Sequence, residues 1–153
     1  EDVQPAELPG RYEAGTLNTV GIAALGAALE VLTETGVDAV EAHEREVTSR
    51  LIDGLNRITG VELCSPESAT KRTAVVSFTV DGWEPADFGA ALDSNFEIAC
   101  RTGLHCAPDA CAALGAFPRG TIRLSPGFYT THEEIDRALE AVDELAHAAL
   151  RLA

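Results

Sequence analysis

The chain has 153 residues, about one domain's worth, enough to bury roughly two-thirds of the surface its unfolded form exposes. Apolar residues make up 46% and aromatics 5%, so any core rests on Ala, Val, Leu and Ile rather than on rings. Acids outnumber bases 25 to 11, giving a net charge of −14, which argues against a nucleic-acid partner because phosphate binding runs on Lys and Arg.

Residues 1–16 are polar and carry Pro5, Pro9, Gly10 and Gly15, which reads as an extended or looping lead-in. From Asn18 or Thr19, either one an N-cap, the pattern turns helical, with Ile22, Leu25, Leu29 and Leu32 on one face. Gly36 then fits a helix stop. A second helix follows at once, with Val37, Val40, Val47, Leu51, Leu55 and Ile58 along a stripe that Gly60 closes. Val61 to Cys64 is a short strand candidate. Thr73 to Val80 is a stronger one, with Ala74, Val76, Phe78 and Val80 in alternation. Asp81-Gly82 supplies a turn, and Pro85 opens a helix that gathers Phe88, Ala91 and Leu92.

Phe96, Ile98 and Cys100 alternate with Glu97, Ala99 and Arg101, which predicts another strand. Residues 102–120 read as a loop with one helical turn, started by Pro108 and stopped by Gly115. Thr121 to Leu124 is a short strand with Ile122 and Leu124 on one face and Arg123 on the other. Thr131 and Glu134 form a capping-box pattern. Beyond it Ile135, Leu139, Val142, Leu145 and Ala149 carry an amphipathic helix to the end. The sum is an α+β fold: two N-terminal helices followed by a small sheet covered by helices.

No apolar run approaches the ~20 residues of a membrane span, and no basic-then-apolar signal opens the chain. The expectation is a soluble cytoplasmic protein with no membrane or nucleic-acid partner. Glu1-Asp2-Val3-Gln4-Pro5 reads like a mid-protein stretch, so a cut fragment is expected. The acid excess fits compositional bias, a salt-rich cytoplasm, or an acidic docking face for a basic partner.

Cys64, Cys100, Cys106 and Cys111 read as reduced thiols. Their spacing lacks the paired cysteines of a zinc site, and no metal is expected. Cys64 and Cys100 fall in strand patterns and Cys111 on a helical turn, where packing accounts for them.

Three polar clusters break the hydrophobic pattern, and sites favour such places. In Arg101-Thr102-Gly103-Leu104-His105-Cys106-Ala107-Pro108, Cys106 lies ahead of a Pro-started helical turn whose dipole favours thiolate. It is a nucleophile candidate, although a small packed residue beside a polar loop histidine reads equally well. Arg123, in a strand between apolar neighbours, suits a carboxylate gripped by two parallel hydrogen bonds; a surface salt bridge is the alternative. Glu13-Ala14-Gly15-Thr16-Leu17-Asn18 precedes a helix, where backbone N–H groups and a hydroxyl make a phosphate site or merely cap it.

Together, Arg11-Tyr12-Glu13-Ala14-Gly15-Thr16-Leu17-Asn18, the segment from Arg101 to Pro108, Leu114 through Arg123, and Phe128-Tyr129-Thr130-Thr131 resemble the class V aminotransferase-fold family. The likeness is greatest to its SUF-type cysteine desulfurases and their near relatives, and it runs from about residue 8 to the end. It implies the C-terminal part of a fold-type I pyridoxal phosphate (PLP) enzyme. Residues 1–36 would belong to or border the missing large domain, and residues 37–153 would be the connecting helix and the small C-terminal domain.

The resemblance implies that Cys106 takes sulfur from L-cysteine and carries it as a persulfide. Arg123 would hold the substrate α-carboxylate, Arg101 would be a second active-site arginine, and Thr16 would reach the PLP phosphate of the neighbouring subunit. A homodimer, a sulfur-acceptor protein and a role in iron–sulfur cluster assembly follow from the same likeness. The family's PLP lysine lies upstream of everything seen here. Lys71, the only lysine, sits in a polar stretch that does not match the family position, so no PLP is expected bound covalently to this chain and the isolated chain is expected to be inactive. Selenocysteine lyase or another class V enzyme is the near alternative, and a non-catalytic dimerisation or docking module the distant one.

Overall fold

A computed structural model describes residues 5–66, 68 and 72–150. The chain divides into two compact units, Glu1–Ala39 and Val40–Ala153. In the first, a short 3-10 turn at Gly10–Tyr12 precedes helix α1, Thr19–Thr35. Asn18 is its N-cap, with Oδ1 accepting from the Gly21 amide at 3.0 Å. Gly36, at φ +83°, ends the helix in a conformation that side chains avoid. The expected apolar face is there, yet α1 buries none of its residues: Leu25 is 60% and Leu29 54% exposed. Up to Glu30 small and apolar residues fill the other faces too, so the first three turns of α1 are apolar nearly all round. Among the described residues no single helix is long and apolar enough to cross a membrane.

The second unit holds most of helix α2 (Val37–Leu55), then β1 (Val61–Leu63), β2 (Val76–Val80), α3 (Pro85–Phe96), β3 (Arg101–Gly103), α4 (Pro108–Ala113), β4 (Thr121–Leu124) and α5 (His132–Leu150). The four strands form one sheet in the order β1-β2-β4-β3, with every neighbour antiparallel. The fold is α+β, as the element pattern predicts.

Alternation gives the sheet two faces. Val76, Phe78, Val80, Ile122 and Leu124 point into a core with Val47, Leu51 and Leu55 of α2, Phe88 and Leu92 of α3, and Ile135, Val142 and Leu145 of α5. Each such side chain, fully buried, contributes about 1.5–3 kcal/mol. The capping box forms as expected: the Thr131 amide donates to Glu134 Oε2 at 2.8 Å, and the Glu134 amide to Thr131 Oγ1 at 3.2 Å. The Ala149 side chain lies outside the described ones.

Several predicted boundaries move. Helix α2 stops at Leu55 and β2 begins at Val76; Ile58 still packs on the core. The strand expected over 96–100 is not one. Phe96 is the last residue of α3, and Glu97 turns left-handed at φ +57°. Phe96, Ile98 and Cys100 nevertheless pack against the core, so their alternation reports burial rather than sheet pairing. The true strand begins at Arg101 and takes the first two residues of the expected loop.

Candidate active site

The sheet face away from that core carries the polar residues. Arg123 of β4 lies opposite Ser77 of β2 on one side and Arg101 of β3 on the other. Ser77, Arg123 and Arg101 therefore form a row across three strands. Thr102 points the other way, its methyl against Gly89 of α3, which leaves Arg101 and Gly103 on the row's side. Like-charged residues directly opposite each other on an antiparallel pair destabilise it. Moreover, Arg123 Nε is shut away from solvent without a hydrogen-bond partner, at a cost on the order of 1–3 kcal/mol. A carboxylate oxygen placed there would relieve both defects.

Gly103 leads from β3 into a tight turn. The Ala107 amide donates to the Leu104 carbonyl at 2.9 Å, and the two residues between, His105 and Cys106, have φ +53° and +58°. A 4→1 hydrogen bond with both central residues left-handed is the signature of a type I′ turn, normally the province of Gly and Asn. Non-glycine residues in this region cost about 1–3 kcal/mol each and gather at functional sites. The turn exposes Cys106 to solvent, one residue before Ala107, the N-cap of α4.

His105, half-buried, has Nε2 at 2.9 Å from Oγ1 of Thr121, a buried residue at the start of β4. Burial pushes the His105 imidazole below its ordinary range. The nearby Arg123 and Arg101 guanidinium groups add to this, and the backbone of Thr121, acting as a hydrogen-bond partner, opposes it. The turn thus lies within the field of both arginines, which disfavour the charged form of His105. His105, Ala107, Thr121, Ser77 and Arg123 line one cleft of about 260 Å³, with Cys111 of α4 closing it. This is smaller than the ~300–1,000 Å³ of drug-sized sites and suits a small metabolite. A cleft of similar size on the helix side contains Arg137, but that guanidinium is already bonded to the Phe96 carbonyl and paired with Glu97.

The other cysteines fall away from the chemistry. Cys111 is buried with Sγ 3.6 Å from the Leu104 carbonyl. Burial raises the thiols of Cys64 and Cys100 above their ordinary range. Thr16 is exposed in the other unit, after Gly15 at φ +76°. Lys71 lies outside the described residues. Thr121 and Ser77 are the site residues the sequence reading did not name. Thr121 shares the strand parity of Arg123, a signal legible in the sequence.

Within the second unit, the paired arginines with an unpartnered buried Nε suit a carboxylate. The described residues include no lysine to hold PLP covalently.

The aminotransferase class-V family model matches residues 1–138. The probable cysteine desulfurase 2 of Mycobacterium leprae is 41% identical over 144 residues, covering 93% of this chain and 33% of its own. Two solved structures are similar. The apo cysteine desulfurase of Thermococcus onnurineus NA1 superposes with a TM-score of 0.82 at 34% identity, over 92% of this chain and 34% of that one. The cysteine desulfurase CsdA of Escherichia coli gives 0.75 at 31%, over 94% and 33%. The chain spans about a third of the length of these relatives. It belongs to the aminotransferase class-V family, and within that family its likeness is to the cysteine desulfurases.

Proposed function

We propose that this chain supplies the substrate-gripping and sulfur-accepting side of a PLP-dependent cysteine desulfurase, converting L-cysteine to L-alanine and a protein persulfide. The row of Ser77, Arg123 and Arg101, with a buried unpaired Nε in its centre and an exposed thiol on the adjoining turn, carries the reading. The names of the similar proteins support it.

In this reading the substrate α-carboxylate sits on Arg123 and is flanked by Arg101. That fixes the amino acid with its side chain toward the turn. PLP, when bound, serves as the electron sink that weakens the substrate Cβ–Sγ bond. The Cys106 thiolate attacks the substrate sulfur, and a new S–S bond forms as Cβ–Sγ breaks. The electron pair of the broken bond stays with the carbon fragment, which takes up one proton and leaves as alanine. Cys106 keeps the sulfur as a persulfide for an acceptor protein.

Thr16 approaching the PLP phosphate of a neighbouring subunit, a homodimer, a cytoplasmic location and service to iron–sulfur cluster assembly belong to the same proposal. So does inactivity of this chain by itself, since a lysine in the family position is not among its residues.

The test is Arg123→Lys in the PLP-loaded protein that carries this chain. A point charge replaces a planar fork, so KM for L-cysteine rises about ten-fold or more while the persulfide still forms on Cys106. An unchanged KM would refute the carboxylate role.

A further inference from the structure

We infer that His105 is a positioning residue: its hydrogen bond to Thr121 pins the Leu104–Ala107 turn to the first residue of β4 and so fixes where Cys106 is displayed. The inference deepens the proposed function, since it concerns the same thiol.

The turn's own closure is one backbone bond, Ala107 to Leu104. Both central residues sit in the left-handed region, from which a side chain relaxes unless its surroundings prevent it. Beyond the Gly103–Thr121 ladder pair and the Thr121 backbone beside the His105 ring, two contacts matter for the turn's placement, both at the start of β4. Gly103 and Gly120 touch backbone to backbone: a Cβ on Gly120 would fall 2.1 Å from the Gly103 carbonyl carbon. That contact sets the near end of the turn. The second contact is His105 Nε2 to Thr121 Oγ1, which reaches the turn's centre, one residue from the thiol.

Thr121 makes a stiff anchor because it is 2% exposed and paired with Gly103 in the sheet register. Its β-branched side chain has few rotamers. Arg123 and Arg101, the charged groups acting on His105, disfavour its protonation; in the neutral ring one nitrogen donates and the other accepts, and either role suits a hydroxyl partner. Leu104, the first residue of the turn, has a carbonyl that accepts from both the Ala107 amide and the Cys111 thiol of α4. His105 acts on the reaction through the turn and need not touch the substrate.

The test uses this chain and compares Thr121→Val, which keeps shape and loses the hydroxyl, with Thr121→Ser, which keeps the hydroxyl. Amide hydrogen exchange at Ala107 reads the turn, and the ¹⁵N resonance of His105 Nε2 reads the bond. Thr121→Val is expected to speed Ala107 exchange about five-fold, the equivalent of one net hydrogen bond, and to shift the Nε2 resonance. Exchange at Phe78 should not change. Thr121→Ser should restore both signals. A packing role alone would be kept by valine and lost by serine.

His105→Asn, whose side chain tolerates left-handed backbone but is too short for Thr121, should reproduce the faster exchange and decides the matter if the valine variant does not fold. Wild-type exchange at Ala107 in either valine or asparagine variant, or a serine variant as disturbed as valine, overturns the inference. These readouts concern the turn alone, so their failure is distinct from failure of the desulfurase reading, which is tested by turnover.

Discussion

Arg101 and Arg123 face each other across two antiparallel strands, an arrangement that costs stability unless an anion lies between. Neither residue in isolation indicates this. Arg123 reads equally as a surface salt-bridge partner, and Arg101 lies in the sequence beside a loop. Only the register puts them in one row, and register depends on which strands pair. The left-handed backbone at His105 and Cys106 was equally hidden, because neither residue type announces it as glycine would.

The cysteines separate cleanly at this scale. Cys106 is exposed, Cys64 and Cys100 are half-buried with thiols pushed up by burial, and Cys111 is buried. Brief iodoacetamide labelling of this chain at neutral pH, mapped by mass spectrometry, should modify Cys106 at least ~10-fold faster than any of the other three. Equal labelling of all four would mean that the turn does not display its thiol as described.

Among the elements, α5 reads most directly from its sequence. Its capping box and its apolar stripe both form, since cap and periodicity are local signals that agree. The misread stretch at 96–100 shows the opposite case. An alternating pattern there serves a left-handed helix end and an irregular connection, because the residues that would have to pair it into the sheet are elsewhere.

Helices α2 and α5 are joined at their surface by Arg50 and Asp136, a two-bond pair with both contacts at 2.7 Å. The hydrogen bond from Arg50 holds the Asp136 carboxyl below its ordinary range. A carboxyl depressed in the folded state adds stability above its unfolded value and loses it as pH falls through the folded one. Asp136→Asn should therefore lower Tm slightly at pH 7, by less in high salt, and the difference should vanish as the pH drops below the carboxylate range. A difference that persists in acid would assign the effect to helix packing instead.

For the whole molecule, the sequence shows the fold class and the family because the signature segments are contiguous. It does not show that the apolar face of α1 is unburied, because a helical pattern is the same whether or not its face finds a partner. The chain spans about a third of the length of the relatives it matches, and under the proposed function its second unit brings the thiol turn and the arginine row.

The most direct test of that role is the location of the sulfur. The PLP-loaded protein carrying this chain, given L-cysteine without an acceptor and digested under non-reducing conditions, should show one extra sulfur atom on the peptide containing Cys106 and on no other, with alanine released in step. Cys106→Ala should abolish the persulfide. A persulfide on Cys64, Cys100 or Cys111, or sulfur transfer undiminished in Cys106→Ala, would contradict the account.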